Sequence, residues 1–171
     1  QGVPILEGTG ILPDLAAAVA AADKVGFPLL LKSTAGGGGI GMQRCDSAQD
    51  LEAAFESVTA LAKSNFTSPG VFLEKCITKA RHVEVQLFGD GRGEVIILGD
   101  RDCSLQRRNQ KLVEECPAAN LPERIRQSMH DSARALAASV NYASAGTIEF
   151  LYDADANEYY FLEVNTRLQV E

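Results

Sequence analysis

The most constraining feature of the chain is a period-two alternation in its second half. Val83, Val85 and Leu87 alternate with His82, Glu84 and Gln86, and successive side chains of an extended strand point to opposite faces. One face therefore suits a core and the other is polar. Gly89-Asp90-Gly91 is a hairpin signal, and 94–98 returns as a second strand. A second pair, 147–152 and 159–171, is joined by the turn-rich Asp153-Ala154-Asp155-Ala156-Asn157, and Val71 to Cys76 reads as a further strand. Helical spacing appears three times. In 13–25, Pro13 suits the first turn, Leu15 and Val19 share a face, and Gly26 can close the end. Ser47 with Asp50 resembles a helix start, and Leu51, Phe55, Val58 and Ala62 carry a stripe to about Lys63. In 122–140, Pro122 suits the first turn, ahead of Ile125, Met129, Leu136 and Val140. The apolar run 27–31 fits a buried strand. Strands joined mainly by hairpins, with helices on one side, predict an α+β fold rather than a doubly wound parallel sheet.

At 171 residues the chain makes one domain or two small lobes. Its 16 Lys+Arg against 23 Asp+Glu, a net charge of −7, argue against a general nucleic-acid binder. No apolar run approaches the ~20 residues of a membrane span, and 46% hydrophobic residues are too many for disorder. Cys45, Cys76, Cys103 and Cys116 form no C-x-x-C pair and do not cluster with His82 or His130. Neither a zinc site nor a disulfide framework is expected, and reduced thiols in a cytoplasmic protein are the reading. The start at Gln1, and an end at Val170-Glu171 in mid-alternation, lead us to expect a piece of a larger protein.

Five of the six residues 36–41 are glycine. Glycine lets backbone N–H groups approach a ligand without a Cβ in the way, so such a run can cradle phosphate oxygens. Lys32 lies four residues upstream, where its ammonium could meet the same phosphates. The pattern lacks the Gly-Lys-Ser/Thr of a P-loop. A flexible surface hairpin uses the same glycines, and the residues alone do not choose.

The C-terminal strand carries the sharpest signal. Its odd positions are Glu163, Asn165, Arg167, Gln169 and Glu171, and its even positions are Leu162, Val164, Thr166, Leu168 and Val170. Strand periodicity predicts one functional face and one core face. If the preceding turn folds this strand against 147–152, Glu149 opposes Glu163 with Cβ atoms ~5 Å apart. Opposed like charges are destabilising unless a cation lies between them. Glu149, Glu163 and Asn165 would supply the partial set of hard oxygen ligands that Mg²⁺ prefers. Arg167 can grip a small oxyanion, Gln169 can hydrogen-bond it, and Glu171 could act as a base. A solvated amphipathic strand is the plainer alternative; the run of functional types opposite a separate Glu favours a site.

The stretch Arg101 to Lys111 concentrates four cations, which fit a solvated rim or a local anion site equally well. His82, on the polar face of its strand, is by default a hydrogen-bonded structural histidine.

The order of the motifs is more specific than any one of them. Lys32, the glycine loop, Glu74-Lys75-Cys76-Ile77 and Arg81-His82-Val83-Glu84-Val85-Gln86 come first. Arg101-Asp102-Cys103-Ser104-Leu105-Gln106-Arg107-Arg108-Asn109-Gln110-Lys111, Gly146-Thr147-Ile148-Glu149-Phe150 and the run Glu163 to Glu171 follow. Together they resemble the ATP-grasp core of biotin carboxylases over nearly the whole chain. The resemblance implies a lid lobe at 1–76 and part of the nucleotide-binding lobe at 77–171, with a mainly antiparallel sheet. It implies ATP contacts at Lys32, Gly36, Gly37, Gly38, Gly39, Met42, Glu74, Lys75, Ile77, His82, Gln106, Asn109 and Leu151. It places Mg²⁺ or Mn²⁺ at Glu149, Glu163 and Asn165, and bicarbonate at Lys111, Arg167, Gln169 and Val170. Arg167, Lys111 and the base Glu171 are the implied catalytic residues. In that family ATP phosphorylates bicarbonate, and biotin on a separate carrier domain receives the activated carboxyl group. Ile40 and Asn109 depart from the family, where Arg or Lys and His are common.

The run from Lys32 to Met42 looks most like urea carboxylase, alone or within urea amidolyase, whose acceptor is chosen by a separate carboxyltransferase domain. A homodimeric parent, with no nucleic-acid or membrane partner, completes the expectation. The carboxylase part of an acyl-CoA or pyruvate carboxylase and another ATP-grasp ligase joining a carboxylate to an amine are the enzymatic alternatives. A purely nucleotide-binding or structural fragment is the non-enzymatic one.

Overall fold

A computed structural model of the chain describes residues 1–34, 39–65 and 70–169, without the side chains of 63–65. The chain forms two compact units, Leu6–Thr78 and Gln1–Ile5 with Lys79–Glu171.

The smaller unit contains α1 (Leu15–Val25), β1 (Leu29–Ser33), β2 (Met42–Cys45), α2 (Ala48–Asn65) and β3 (Val71–Lys75). Its antiparallel sheet has the order β2-β1-β3. Leu29, Leu31 and Leu73, all fully buried, share the covered face and pack with Ala18 and Val25 of α1 and Leu51 and Val58 of α2. α1 begins two residues later than its spacing suggested. Asp14 is the cap, its Oδ1 accepting the Ala17 amide at 2.8 Å, so Pro13 precedes the cap instead of entering the first turn. At α2 the Asp50 amide donates to Ser47 Oγ at 3.2 Å, and Ser47 Oγ donates back to Asp50 Oδ2 at 2.8 Å. Asp50 Oδ2 also accepts the Asp46 amide at 3.1 Å, one residue before the cap, so the shorter Asp gives a variant of the box in which Glu accepts the amide of the cap residue itself. Strand β2, which the sequence reading missed, is only four residues long, and two of them, Gln43 and Arg44, are polar and exposed.

The larger unit is a five-stranded antiparallel sheet of order β6-β5-β4-β7-β8. It is built from β4 (Ala80–Asp90), β5 (Val95–Arg107), β6 (Gln110–Glu115), β7 (Ala143–Asp153) and β8 (Glu158–Asn165), with α3 (Glu123–Ser139) against one face. Val83, Val85, Leu87, Ile148 and Phe150 point to that face and meet Ile125, Met129 and Ala133 of α3. Each large apolar side chain there contributes about 1.5–3 kcal/mol by leaving water. Phe150 takes the ring edges of Tyr159 and Phe161 at 5.5 and 6.5 Å between centroids. Pro122 is the cap of α3, one place before the first turn expected for it. Buried Asp100 pins the helix to β5, accepting from Arg126 with both oxygens, from the Ala118 amide at 2.8 Å and facing His130 Nε2 at 3.0 Å.

The sheet differs from its sequence reading in two places. The basic stretch is itself a hairpin: β5 runs on to Arg107 and β6 returns, with Arg108 and Asn109 in the turn at φ 53° and 63°. Two successive positive φ values make the tight turn that twisted strands favour. Strand β8, expected to run to 171, ends at Asn165. Beyond the Thr147–Asn165 pair, Ala145 would face residue 167, but its carbonyl accepts the Tyr142 hydroxyl at 2.9 Å. The five-residue functional face therefore does not exist as one strand. Nor is the even-numbered face a core, since Val164 and Leu168 are 43% and 80% exposed. Leu162 is an extra residue in the ladder: Glu149 pairs Glu163 and Phe150 pairs Phe161, and this bulge resets the alternation.

Candidate active site on the open sheet faces

In the smaller unit, register selects the residues. Lys32 pairs with Met42 across β1–β2, and Leu30 pairs with Glu74 across β1–β3, so Lys32, Met42 and Glu74 share the face opposite the helices. Lys32 Nζ lies 2.9 Å from Glu74 Oε1 and 5.5 Å from the centre of the Phe72 ring. Lys75 belongs to the other face. Its ammonium donates to the Gly26 carbonyl at 3.1 Å and to Phe27 at 3.4 Å, satisfying carbonyls at the end of α1. Ile77 is half-buried in the segment after β3, and Gly39 has φ 83°. Gly36, Gly37 and Gly38 lie outside the described residues.

In the larger unit the candidates line the sheet face away from α3. Glu149 is its centre and is 3% exposed. Its Oε1 accepts from Lys111 Nζ at 2.9 Å and Asn165 Nδ2 at 2.8 Å, and its Oε2 meets His82 Nε2 at 2.7 Å. Burial alone would raise its pKa, but hydrogen bonds from His82 and Lys111 and the charge beside them outweigh burial and bring it to about 2. Gln106 Nε2 lies 2.7 Å from both the Cys103 carbonyl and His82 Nδ1. An amide nitrogen that donates to a carbonyl also donates to the ring nitrogen beside it, so the His82 proton sits on Nε2 and points at Glu149. Leu151 pairs directly with His82 on β4. Asn109 is exposed in the β5–β6 turn, where its positive φ already gives Asn a structural reason.

Three residues that the sequence reading did not assign complete this face. Glu84 is fully buried, with Oε1 taken by Arg101 Nε at 2.6 Å and Oε2 by Lys111 Nζ at 2.6 Å. Arg101 also donates to Gln86 Oε1 at 2.9 Å, and Gln86 Nε2 donates to the Gly146 carbonyl at 3.0 Å. The available signal was their place in the polar half of the β4 alternation and in the basic stretch. Burial by itself lowers the Lys111 pKa, yet the Glu84 and Glu149 carboxylates hold it well above the ordinary lysine value. The Cys103 thiol is pushed far up by burial and by neighbouring acids, so it stays protonated.

Glu163 opposes Glu149 as its Cα partner and has no hydrogen-bond or ion-pair partner among the described residues. Glu84, Glu114 and Glu149 pair with the two cations Lys111 and Arg101, and Glu163, opposite Glu149, adds a fourth carboxylate. An excess of carboxylate with hard oxygen donors fits a divalent cation of the Mg²⁺ class. Arg167 is exposed and among the described residues reaches only the Leu168 carbonyl, at 3.4 Å, while Gln169 Nε2 is 3.4 Å from Thr147 Oγ1. Val170 and Glu171 lie outside the described residues.

Fold and site together define an ATP-grasp α+β protein. Residues 1–171 match the family model described as carbamoyl-phosphate synthase L chain, ATP binding domain, and the chain belongs to that family. It is 54% identical over 170 residues to the urea amidolyase of Saccharomyces cerevisiae, covering 99% of this chain and 9% of that protein. A biotin carboxylase β,γ-ATP complex from Campylobacter jejuni superimposes with a TM-score of 0.92 at 46% identity, covering 99% of this chain and 38% of that one. The biotin carboxylase domain dimer of Hydrogenobacter thermophilus 2-oxoglutarate carboxylase, in complex with MgADP, ADP and bicarbonate, gives 0.90 at 43%, again covering 99% and 38%. The chain thus spans less than half the length of each of these relatives.

Proposed function

We propose that the chain is the ATP-grasp part of a biotin-dependent carboxylase that activates bicarbonate with ATP and whose parent carboxylates urea. One observation carries the reading: a single sheet face gathers the opposed pair Glu149–Glu163, Asn165, Lys111, His82 and Gln106. The likeness to urea amidolyase supports urea as acceptor. A bicarbonate oxygen attacks the γ-phosphorus of ATP, ADP leaves, and the resulting carboxyphosphate gives its carboxyl group to biotin as phosphate departs.

Lys32, Gly36, Gly37, Gly38, Gly39, Met42, Glu74, Lys75, Ile77, His82, Gln106, Asn109 and Leu151 bind the nucleotide in this reading. The side chain of Lys75 is committed to α1, so its share is through the backbone. Glu149, Glu163 and Asn165 would hold Mg²⁺ or Mn²⁺, which supplies neutralisation of phosphate charge. Lys111, Arg167, Gln169 and Val170 orient bicarbonate, and Glu171 removes its proton. Partners in the parent are a biotin carrier domain, a carboxyltransferase domain and a second copy of the enzyme. Among the described residues no helix is long and apolar enough to cross a membrane, and the four cysteines are unpaired. The free thiols support a reducing compartment, the cytoplasm.

The test is ADP release by the full-length parent with and without bicarbonate, then with and without urea. Bicarbonate-dependent cleavage that Arg167→Ala and Glu163→Gln each abolish is expected. Turnover unchanged in both variants refutes the assigned roles. ATP use that needs an amino acid but not bicarbonate would mean a carboxylate–amine ligase instead. Bicarbonate-dependent but urea-independent turnover would leave the carboxylase and refute urea.

A further inference from the structure

Lys111 is assigned above to the substrate anion, yet its ammonium is already engaged. It sits 2.9 Å from Glu149 Oε1 and 2.6 Å from Glu84 Oε2. A cation of the protein's own thus lies against the carboxylate proposed to hold the divalent one. The two carboxylates hold it differently. Glu84 is 0% exposed, and its other oxygen is fixed by Arg101, which is tied in turn to Gln86. Glu149 shares its Oε1 with the Asn165 amide, and its strand partner Glu163 has no cation against it among the described residues. The ammonium therefore serves one member of the Glu149–Glu163 pair, whereas a divalent cation between them serves both. The stronger field of the doubly charged ion favours replacement at this place.

We propose that Lys111 is a tethered cation that holds Glu149 until a divalent cation replaces it, with Glu84 as the positioning residue that keeps hold of Lys111 through the exchange. The proposal rests on the reading of Glu149, Glu163 and Asn165 as the cation site. No covalent bond forms or breaks. Asn165 takes part as well: its amide nitrogen faces Glu149 in the metal-free arrangement, and a half-turn of the amide offers oxygen instead. Metal affinity without nucleotide is then reduced by competition from Lys111, as for any site whose competent state is only partly populated. The exchange would also link cation entry to release of the lysine that serves the anion.

Mn²⁺ alone, titrated into the full chain and followed by the paramagnetic resonance of the free ion, tests this. Lys111→Met keeps the length and removes the charge. It is expected to tighten Mn²⁺ binding about tenfold or more, because losing a unit cation a few ångströms from the site is worth at least one such factor. Glu163→Gln is expected to abolish binding. If Glu163→Gln abolishes it but Lys111→Met leaves affinity unchanged or weaker, the cation site stands and the exchange is refuted. If Mn²⁺ binds neither the unaltered chain nor Lys111→Met, both readings fall.

Acetylation of the Lys111 amine in the unaltered chain, read by mass spectrometry, keeps the question decidable should Lys111→Met not fold. Mn²⁺ is expected to speed it, and to speed it further in Glu84→Gln, where the tether is gone. A rate indifferent to Mn²⁺ overturns the exchange, and an equal response in Glu84→Gln overturns the role of Glu84.

Discussion

Glu149 and Glu163 stand directly opposite each other on neighbouring strands, but among the described residues only Glu149 of the two is paired with a cation, Lys111. Opposed like charges cost stability, and among the described residues no cation or side-chain hydrogen bond offsets that cost at Glu163. Replacing the two should thus have opposite effects on the metal-free fold. Glu163→Gln should raise stability by about 0.5 kcal/mol by relieving the repulsion. Glu149→Gln should lower it by about 2 kcal/mol, less than the loss of a sole buried partner because Lys111 keeps Glu84. Urea denaturation of both variants checks the contrast, and equal losses would mean that Glu163 has a structural role.

The same network sets a pH window. Glu149 has its pKa lowered from 4.5 to about 2 in the folded chain. The unfolded chain therefore binds its proton first as the solution is acidified. The stability it contributes is complete above about 4.5 and is lost as pH falls towards about 2. Acid titration of the folded chain should show that loss, and Glu149→Gln should flatten the curve over this interval. An unchanged slope would contradict the pairing with Lys111 and His82.

How much of this was legible depended on local pattern. The alternation of His82, Glu84 and Gln86 with valines and leucine identified the polar face, because strand periodicity is a local property. The turn Asp153 to Asn157 likewise made the antiparallel pairing of β7 with β8 legible, although it is the extra residue Leu162, which no local pattern announces, that sets Glu149 opposite Glu163. What failed required knowledge of a partner. Strand β8 ends at Asn165, and the Ala145 carbonyl beyond that point accepts the Tyr142 hydroxyl, some twenty residues away in sequence. The burial of Glu84 is set by Arg101 and Lys111 on other strands, so its polar identity could not reveal it. The β5–β6 hairpin hid behind a run of charges that by composition resembles a loop.

Lys75 separates backbone from side-chain roles. Its ammonium caps the carbonyls of Gly26 and Phe27 at the end of α1. Lys75→Met should cost about 1 kcal/mol in the smaller unit through loss of these bonds. The amides of the last turn of α1 should exchange with solvent faster. ATP affinity, measured calorimetrically on the full chain, should change less than about twofold, a shift below ~0.5 kcal/mol. A large loss of affinity with unchanged exchange at α1 would return the side chain to the nucleotide.

Gly146 tests whether the backbone under the cation site is as critical as its side chains. A Cβ there would lie 2.5 Å from Tyr142 Oη and 3.0 Å from the Asn165 carbonyl oxygen. The hydroxyl cannot simply move, since it donates to the Ala145 carbonyl at 2.9 Å. Gly146→Ala should thus cost roughly 1–3 kcal/mol, the usual range for an extra methyl in a packed place. Shifting the Asn165 backbone should also weaken Mn²⁺ binding. Gly99→Ala is the control: its φ of +134° strains any side chain, but no atom lies within 4 Å of the new Cβ. It should lose stability with Mn²⁺ affinity intact. Adding Tyr142→Phe to Gly146→Ala removes the hydroxyl at 2.5 Å and leaves the Asn165 carbonyl oxygen and the ring carbon Cζ of residue 142, each at 3.0 Å. That double variant should recover part of the melting temperature but little of the Mn²⁺ affinity. Full recovery of both would trace the defect to the Tyr142 hydroxyl and away from Asn165.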